Sequence, residues 1–149
     1  MAESKVFALS IKQPWAALVV HGLKSIEIRR WSTVRRGRIL IHAARIPDKR
    51  PEAWQYVKGE VTALAQLRGG IIGAVELTEC LSYQNLGAFN ADQAKHRNEA
   101  SWFEPPRMYG FTFAEPEVLT FQAYPGWFRF FPMPASLVTS RVMTIAAHE

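Results

Sequence analysis

The stretch from Gln13 to Trp31 constrains the fold of this chain more than any other, because it joins a helix to a strand. Pro14 fits the first position of a helix, where its fixed φ and missing N–H cost nothing. Gly22 can take the left-handed conformation that ends a helix. From Lys24 onwards, apolar and polar residues alternate as in a strand. The pattern therefore predicts a short helix, a tight turn and a strand from Lys24 to Trp31.

The two faces of this predicted strand differ in character. Ile26 and Ile28 point one way, towards a core. The opposite face is polar with an aromatic edge, and it consists of Ser25, Glu27, Arg29 and Trp31. Such a face is more typical of a recognition site than of plain exposure to solvent.

Three motifs follow one another in this part of the chain. The first is Gln13-Pro14-Trp15, and the second is the pattern Gly-x-Lys-x-x-Glu-x-Arg from Gly22 to Arg29. The third is Arg36-Gly37-Arg38, which precedes an apolar strand that ends at His42. Together they resemble the ASCH domain, the homology domain of an activating signal cointegrator. The resemblance is tightest over residues 8–44 and continues loosely to about residue 134. It implies a PUA-like fold, and members of the family are suspected to bind RNA or DNA.

The remaining segments predict a single domain over residues 1–149, with a core from about residue 5 to residue 134. Further strands are predicted at 6–11, 38–43, 71–81, 109–113, 118–123 and 128–131, the last one broken by Pro132 and Pro134. A second helix begins at Pro51, with an apolar stripe that extends to Leu67. The expected class is α+β: a PUA-like small mixed β-barrel of five to six strands with two to three flanking helices.

The positive charge is concentrated in the first half of the chain. Residues 1–70 have a balance of +8 and residues 71–149 a balance of −3, and five of the ten residues from Arg29 to Arg38 are arginines. Cations clustered around one strand–loop–strand unit are typical of a phosphate-binding surface. The alternative is a solvated loop that keeps the protein soluble.

Several function classes lack their sequence signals. The single cysteine, Cys80, leaves no pair for an internal disulfide and no cysteine-rich metal site, and the histidines have no ligand spacing. The chain has no phosphate-binding Walker loop, dinucleotide fingerprint or nucleophile elbow. No apolar run approaches the ~20 residues of a membrane span, and the first residues lack an apolar signal core. We therefore expect a cytoplasmic protein with no metal and no cofactor.

The first functional hypothesis is a module that holds a nucleotide of RNA or single-stranded DNA in a basic cleft, with RNA favoured. Trp15, Trp31 and Trp102 are candidates for stacking on bases. Gln13 and Glu27 can hydrogen-bond to a base edge, and the alternative for Gln13 is that it caps the first helix. The cations predicted to contact the nucleic acid are Lys24, Arg29, Arg35, Arg36 and Arg38. An acidic protein segment remains a possible partner of the same cleft.

The second hypothesis is an enzyme in which Lys24 and Glu27 are catalytic. A desolvated lysine can lose its proton and act as a base, while a carboxylate handles a proton at the leaving group. The resemblance implies an amidohydrolase acting on a modified nucleoside such as N4-acetylcytidine, in which the matching lysine works with a threonine three residues later. Here Glu27 takes the place of the threonine, and His96 and Glu99 match the family's His and Glu only loosely. The other interpretation is a structural ion pair between Lys24 and Glu27, so the sequence leaves enzyme or binding module open.

Overall fold

Six strands form one mixed sheet that curls into a half-barrel. The computed structural model describes residues 4–137. In chain order the strands are β1 (Lys5–Ile11), β2 (Ile26–Arg29), β3 (Gly37–Ala43), β4 (Gly70–Tyr83), β5 (Met108–Ala123) and β6 (Phe130–Pro134). Their order across the sheet is β2-β5-β4-β3-β1-β6, with β1 and β3 parallel and the other neighbours antiparallel. The α+β class and the predicted five to six strands are confirmed.

The helices of the described residues are short and more numerous than the two to three predicted. They are α1 (Trp15–Val20), α2 (Pro51–Trp54), α3 (Val61–Leu64), α4 (Leu86–Ala91), α5 (Gln93–His96) and a single 3₁₀ turn (Ala100–Trp102). The helix predicted from Pro51 to Leu67 is divided into α2 and α3, and Gly59 between them has a φ of +63°, which is outside the right-handed helical range. The apolar stripe is nevertheless kept in part: Val61 is buried, and the other members are half-buried and pack against the core, namely Trp54, Val57, Leu64 and Leu67.

Helix α1 is buried on all sides and fixes the position of β2. The parallel pairing of β1 with β3 requires a crossover, and both α1 and β2 lie within it. All six residues of α1 are buried. Gly22 follows with a φ of +85°, which confirms the predicted turn. Strand β2 begins at Ile26, so Lys24 lies in the turn before the strand and not in it.

Strands β5 and β6 differ from the prediction in two respects. The two strands predicted at 109–113 and 118–123 are one continuous strand, which crosses Pro116 through bulges in its pairing with β4. Pro132 lies inside β6 instead of breaking it, and Pro134 is the last residue of the strand. They are tolerated because β6 is an edge strand that pairs with β1 alone, so a missing N–H can face away from the ladder.

No helix within residues 4–137 is long and apolar enough to cross a membrane. The segment beyond Ala135, to which the sequence assigned no element, lies almost entirely outside the described residues.

Candidate nucleotide pocket

A pocket of about 500 Å³ opens beside β2 and the N-terminal end of α1, and we call it the nucleotide pocket. Its volume lies within the range of about 300–1,000 Å³ that is usual for small-molecule sites. Five chain segments meet there: β1, the stretch from Lys12 to Trp31, the 44–50 loop, the segment at Asn98 and the loop before β6. The lining residues used below are Ser10, Lys12, Trp15, Lys24, Glu27, Arg29, Trp31, Asp48, Arg50, Asn98, Trp127, Phe128 and Arg129.

Glu27 lies between two cations in this lining. Its Oε1 is 3.6 Å from the Nζ of Lys24, and its Oε2 accepts a hydrogen bond from the Nε of Arg29 at 3.1 Å. A second nitrogen of Arg29 lies 3.0 Å from the same Oε2 and donates to the carbonyl oxygen of Ser10. The structure thus brings together three of the predicted site residues, Lys24, Glu27 and Arg29, in one charged row.

Lys24 is almost completely buried, with 1% of its surface exposed. Burial lowers the pKa of its ammonium from 10.5 to about 8, although the charge and hydrogen bond of Glu27 act in the opposite direction. Its Nζ donates to the carbonyl oxygen of His96 and lies 4.8 Å from the centre of the Trp15 ring. Near neutral pH the lysine is therefore mostly protonated, with an appreciable neutral fraction.

A second wall joins the predicted residue Trp15 to Asp48 and Arg50, which the sequence did not mark. The indole N–H of Trp15 donates to Asp48 at 2.8 Å, and Arg50 binds the same carboxylate through its Nε and Nη2. Burial acts to raise the pKa of the Asp48 carboxyl, but the hydrogen bonds from Arg50 and Trp15 prevail and lower it to about 2. Arg50 also lies 3.6 Å from the centre of the Trp102 ring. Neither periodicity nor motif marks Asp48 and Arg50, because they belong to an irregular loop.

Trp31 lines the pocket with two guanidinium groups close to its ring. It packs edge-on against Phe111 and Phe130, which fixes its ring. The guanidinium of Arg129 lies 4.9 Å from the ring centre and that of Arg29 lies 5.9 Å away. Both guanidinium groups lie over the ring and make cation–π contacts with it.

The loop before β6 adds two exposed aromatic side chains at the rim. Trp127 is 66% exposed and Phe128 is 74% exposed, and their rings stack with centres 6.0 Å apart. Among the large hydrophobic residues of the described chain these two belong to the most exposed, so their role is not core packing.

His42 holds this loop against the sheet. Burial lowers the pKa of its imidazole, so the ring is neutral near pH 7. In that state its Nε2–H donates to the carbonyl oxygen of Tyr124 at 2.8 Å, and its Nδ1 accepts from the hydroxyl of Ser10 at 3.0 Å. Gly126 packs so closely on the ring that an added Cβ would lie 2.5 Å from its Cε1.

Gln13 does not reach the pocket, which corrects the prediction that it reads a base edge. Its side chain is fully buried and tied at both ends. Its amide N–H groups donate to the carbonyl oxygens of Leu64 and Leu67, and its Oε1 accepts from the N–H of Ala17. Gln13 therefore joins α1 to the α3 region, and its role is structural.

The basic loop also lies away from the nucleotide pocket. Arg35 places its guanidinium 3.8 Å from the centre of the Phe7 ring, and Arg36 donates to nearby backbone carbonyl groups. Arg38 forms an ion pair with Glu117. None of these three arginines lines the pocket, so their predicted contacts with phosphate stay a prediction for the surface around the basic loop. The pocket instead receives cations from Lys12, just before α1, and from Arg50 and Arg129, which no sequence pattern marks.

His96 does not present its ring to the pocket. It is buried, with Nε2–H donating to the carbonyl oxygen of Phe89 at 2.6 Å and Nδ1 accepting from the N–H of Asn98 at 2.9 Å. Glu99 is absent from the pocket lining. Within residues 4–137, no three His, Cys, Asp or Glu side chains lie close enough together to hold a metal ion.

Known proteins resemble this chain both in sequence and in fold. The family model of the ASCH domain matches residues 9–129. Activating signal cointegrator 1 of Mus musculus and of Homo sapiens are 36% and 35% identical to this chain over 92 residues. That alignment covers 54% of this chain but only 15% of each relative.

Solved structures extend the likeness to nearly the whole chain. The ASCH protein of Zymomonas mobilis has a TM-score of 0.61 and 14% identity, covering 93% of this chain and 94% of its own. A mutant of that protein gives a TM-score of 0.62 over 95% of this chain and 99% of its own. At this identity the likeness concerns the fold, and the expected PUA-like α+β fold is confirmed.

Proposed function

Because this chain belongs to the ASCH domain family, whose PUA-like fold is often linked to RNA binding, we propose that the nucleotide pocket holds one nucleotide of RNA or single-stranded DNA. The observation that carries this proposal is the composition of the pocket. It combines three tryptophan rings with five cationic side chains and only two carboxylates. The cations are Lys12, Lys24, Arg29, Arg50 and Arg129, and the carboxylates are Glu27 and Asp48.

Two of these cations are free to bind phosphate. Arg29 and Arg50 are already engaged by Glu27 and Asp48. Lys12 and Arg129, in contrast, form no ion pair with any residue in the range 4–137, and both are exposed. A phosphate that enters the pocket therefore gains most from Lys12 and Arg129, with Arg29 as a fixed neighbour.

The base has aromatic and polar partners in the same place. The exposed Trp127–Phe128 pair supplies ring surface for stacking, and Trp31 lies in the same lining. Glu27 keeps acceptor capacity beyond its two cations, because a carboxylate offers about four lone-pair sites. Asn98, which also lines the pocket, is a second candidate for contact with a base edge.

A titration of labelled single-stranded oligonucleotides tests this proposal. Fluorescence anisotropy at several salt concentrations measures both the affinity and its salt dependence. We expect the affinity to fall steeply with salt, since each neutralised phosphate releases a counterion. Separate titrations with RNA and with DNA of the same sequence show which of the two binds more tightly. Competition with an acidic peptide tests whether the pocket binds an acidic protein segment instead. Absence of binding to every oligonucleotide contradicts the proposal.

One observation favours the amidohydrolase alternative: the buried Lys24, with its pKa lowered to about 8, borders the pocket beside Glu27. In this reaction neutral Lys24 takes a proton from water, and the hydroxide attacks the acetyl carbonyl of N4-acetylcytidine. The C–N bond then breaks, the exocyclic nitrogen receives a proton, and cytidine and acetate are released. Chromatography of N4-acetylcytidine incubated with the protein and with Lys24→Met decides the matter. Turnover confined to the unsubstituted protein supports the reaction, and no turnover removes it.

A further inference from the structure

We propose that the site takes a strand of several nucleotides, not an isolated nucleotide or nucleoside, along a basic track that leaves the nucleotide pocket. The track passes Trp127 and Phe128 and continues through two further cavities. This inference rests on the proposed function and specifies its ligand as a single-stranded polynucleotide.

The three cavities are neighbours. The second, of about 490 Å³, shares Ser10, Lys12, Trp127 and Phe128 with the nucleotide pocket. The third, of about 630 Å³, shares Arg45 with the second. The first and second cavities therefore adjoin along several side chains, and the second and third meet at Arg45.

The loop between β5 and β6 lines all three cavities in chain order. Tyr124 and Pro125 border the third, Gly126 the second, and Arg129 the nucleotide pocket, while the Trp127–Phe128 pair borders both the second and the nucleotide pocket. Six residue steps from 123 to 129 span at most about 20 Å. A loop of up to this length can accompany more than one nucleotide of a strand.

Cations mark the two places where the cavities meet. Lys12 stands between the first and the second, and Arg45 stands between the second and the third. Both are exposed, and neither forms an ion pair within the described part of the chain. Arg68 borders the third cavity, and no carboxylate among the described residues borders the second or the third. Cations repeated along a groove suit a backbone that repeats its phosphates.

The aromatic pair supplies the stacking surface between the cavities. Trp127 and Phe128 expose most of their surface at the point where two cavities join. Stacking on such rings accepts any base, as in proteins that bind single strands without sequence preference. The hydrogen bond from His42 to the carbonyl oxygen of Tyr124 and the packing of Gly126 on its ring fix the loop that carries these two side chains. Trp127 and Phe128 are therefore exposed on a loop of defined position, which we call the held loop.

A series of single strands of one, two, four and eight nucleotides tests the track, since small sites of this kind extend over about four nucleotides or more. We expect affinity to rise at least tenfold from one to four nucleotides. Arg45→Ala should weaken the binding of the four-nucleotide strand several-fold and leave that of the mononucleotide unchanged. Lys58→Ala, which removes an exposed cation outside the three cavities, is the matched control and should change neither affinity.

The outcomes separate the track from the function on which it depends. Equal affinity for one and for eight nucleotides, or an Arg45→Ala variant that binds long strands normally, overturns the track and leaves the nucleotide pocket standing. No binding at any length overturns both. Thermal unfolding of each variant shows that it is folded.

Discussion

The Nζ of Lys24 lies 3.6 Å from the Oε1 of Glu27, in a place where the lysine is almost fully buried. The pair is therefore both a structural ion pair and part of the pocket lining. A buried lysine without this carboxylate would be costly to keep protonated, since burial disfavours the charged form. The proximity that the sequence analysis anticipated is thus present, while the chemistry it permits depends on the proton of Lys24.

The first prediction concerns stability in alkaline solution. Because the pKa of Lys24 is about 8 in the folded protein and 10.5 when unperturbed, the unfolded chain binds more protons between these values. The contribution of Lys24 to the free energy of unfolding should therefore increase as pH rises from about 8 to about 10.5. The increase should reach up to about 3 kcal/mol.

Urea unfolding at a series of pH values measures this contribution. Other groups titrate in the same range, so the quantity of interest is the difference between the protein and its Lys24→Met variant. The variant should lack the upward contribution. Parallel curves for the two proteins over this pH range contradict the lowered pKa.

The second prediction concerns Glu27→Gln. The substitution removes the charge that partly offsets the burial of Lys24, so the pKa of that lysine should fall below about 8. It also deprives Arg29 of its carboxylate partner, and we expect a loss of about 1–3 kcal/mol in unfolding free energy. NMR titration of the lysine side chain measures the first effect and urea unfolding the second. A Lys24 pKa that stays the same or rises contradicts the coupling.

The third prediction concerns acid. The pKa of the Asp48 carboxyl is lowered to about 2 from 3.8, so its contribution to stability is complete above about 4 and is lost as pH falls towards 2. Asp48→Asn should remove this part of the acid dependence. It should also free Arg50 and loosen Trp15, which weakens the pocket wall. Unfolding monitored between pH 2 and pH 5 measures the difference, with Asp92→Asn as a comparison outside the pocket.

Local sequence patterns predicted the part of the pocket lining that lies on β2 and next to it. The helix stop at Gly22 and the alternation after Lys24 are short-range signals, and the structure places Lys24, Glu27, Arg29 and Trp31 in one pocket. The fold class followed from the same patterns, because alternation and breakers depend on neighbours in the chain.

The other half of the site could not be found in this way. Asp48, Arg50 and the 127–129 segment lie in irregular loops, and only tertiary packing brings them to β2. The same limit explains Gln13, whose partners Leu64 and Leu67 are about fifty residues away. Arginine density in the sequence pointed to the 35–38 segment, whereas the cations that face the pocket are scattered along the chain.

The fourth prediction compares two double variants of equal charge. Lys12→Ala with Arg129→Ala removes the cations of the pocket that have no ion-pair partner among residues 4–137, and Arg35→Ala with Arg36→Ala removes two from the basic loop. The first pair should weaken oligonucleotide binding and lower the slope of affinity against salt by about two, one for each phosphate that is no longer neutralised. The Arg35→Ala, Arg36→Ala variant should change the affinity and the salt slope much less. Fluorescence anisotropy at several salt concentrations measures both quantities. A larger loss in the Arg35→Ala, Arg36→Ala variant than in the Lys12→Ala, Arg129→Ala variant contradicts the nucleotide pocket and favours the basic loop.

The last prediction concerns the held loop and uses Gly126→Ala. The added Cβ would lie 2.5 Å from the Cε1 of His42, so the loop or the imidazole must move. Crowding of this kind costs about 1–3 kcal/mol, and the displacement carries Trp127 and Phe128 away from the pocket rim. We expect lower thermal stability together with weaker oligonucleotide binding at temperatures where the variant is fully folded. Gly87→Ala, in the exposed first turn of α4, is the matched control and should keep full binding. A Gly126→Ala protein that is destabilised but binds normally would show that the loop's position does not matter for the ligand.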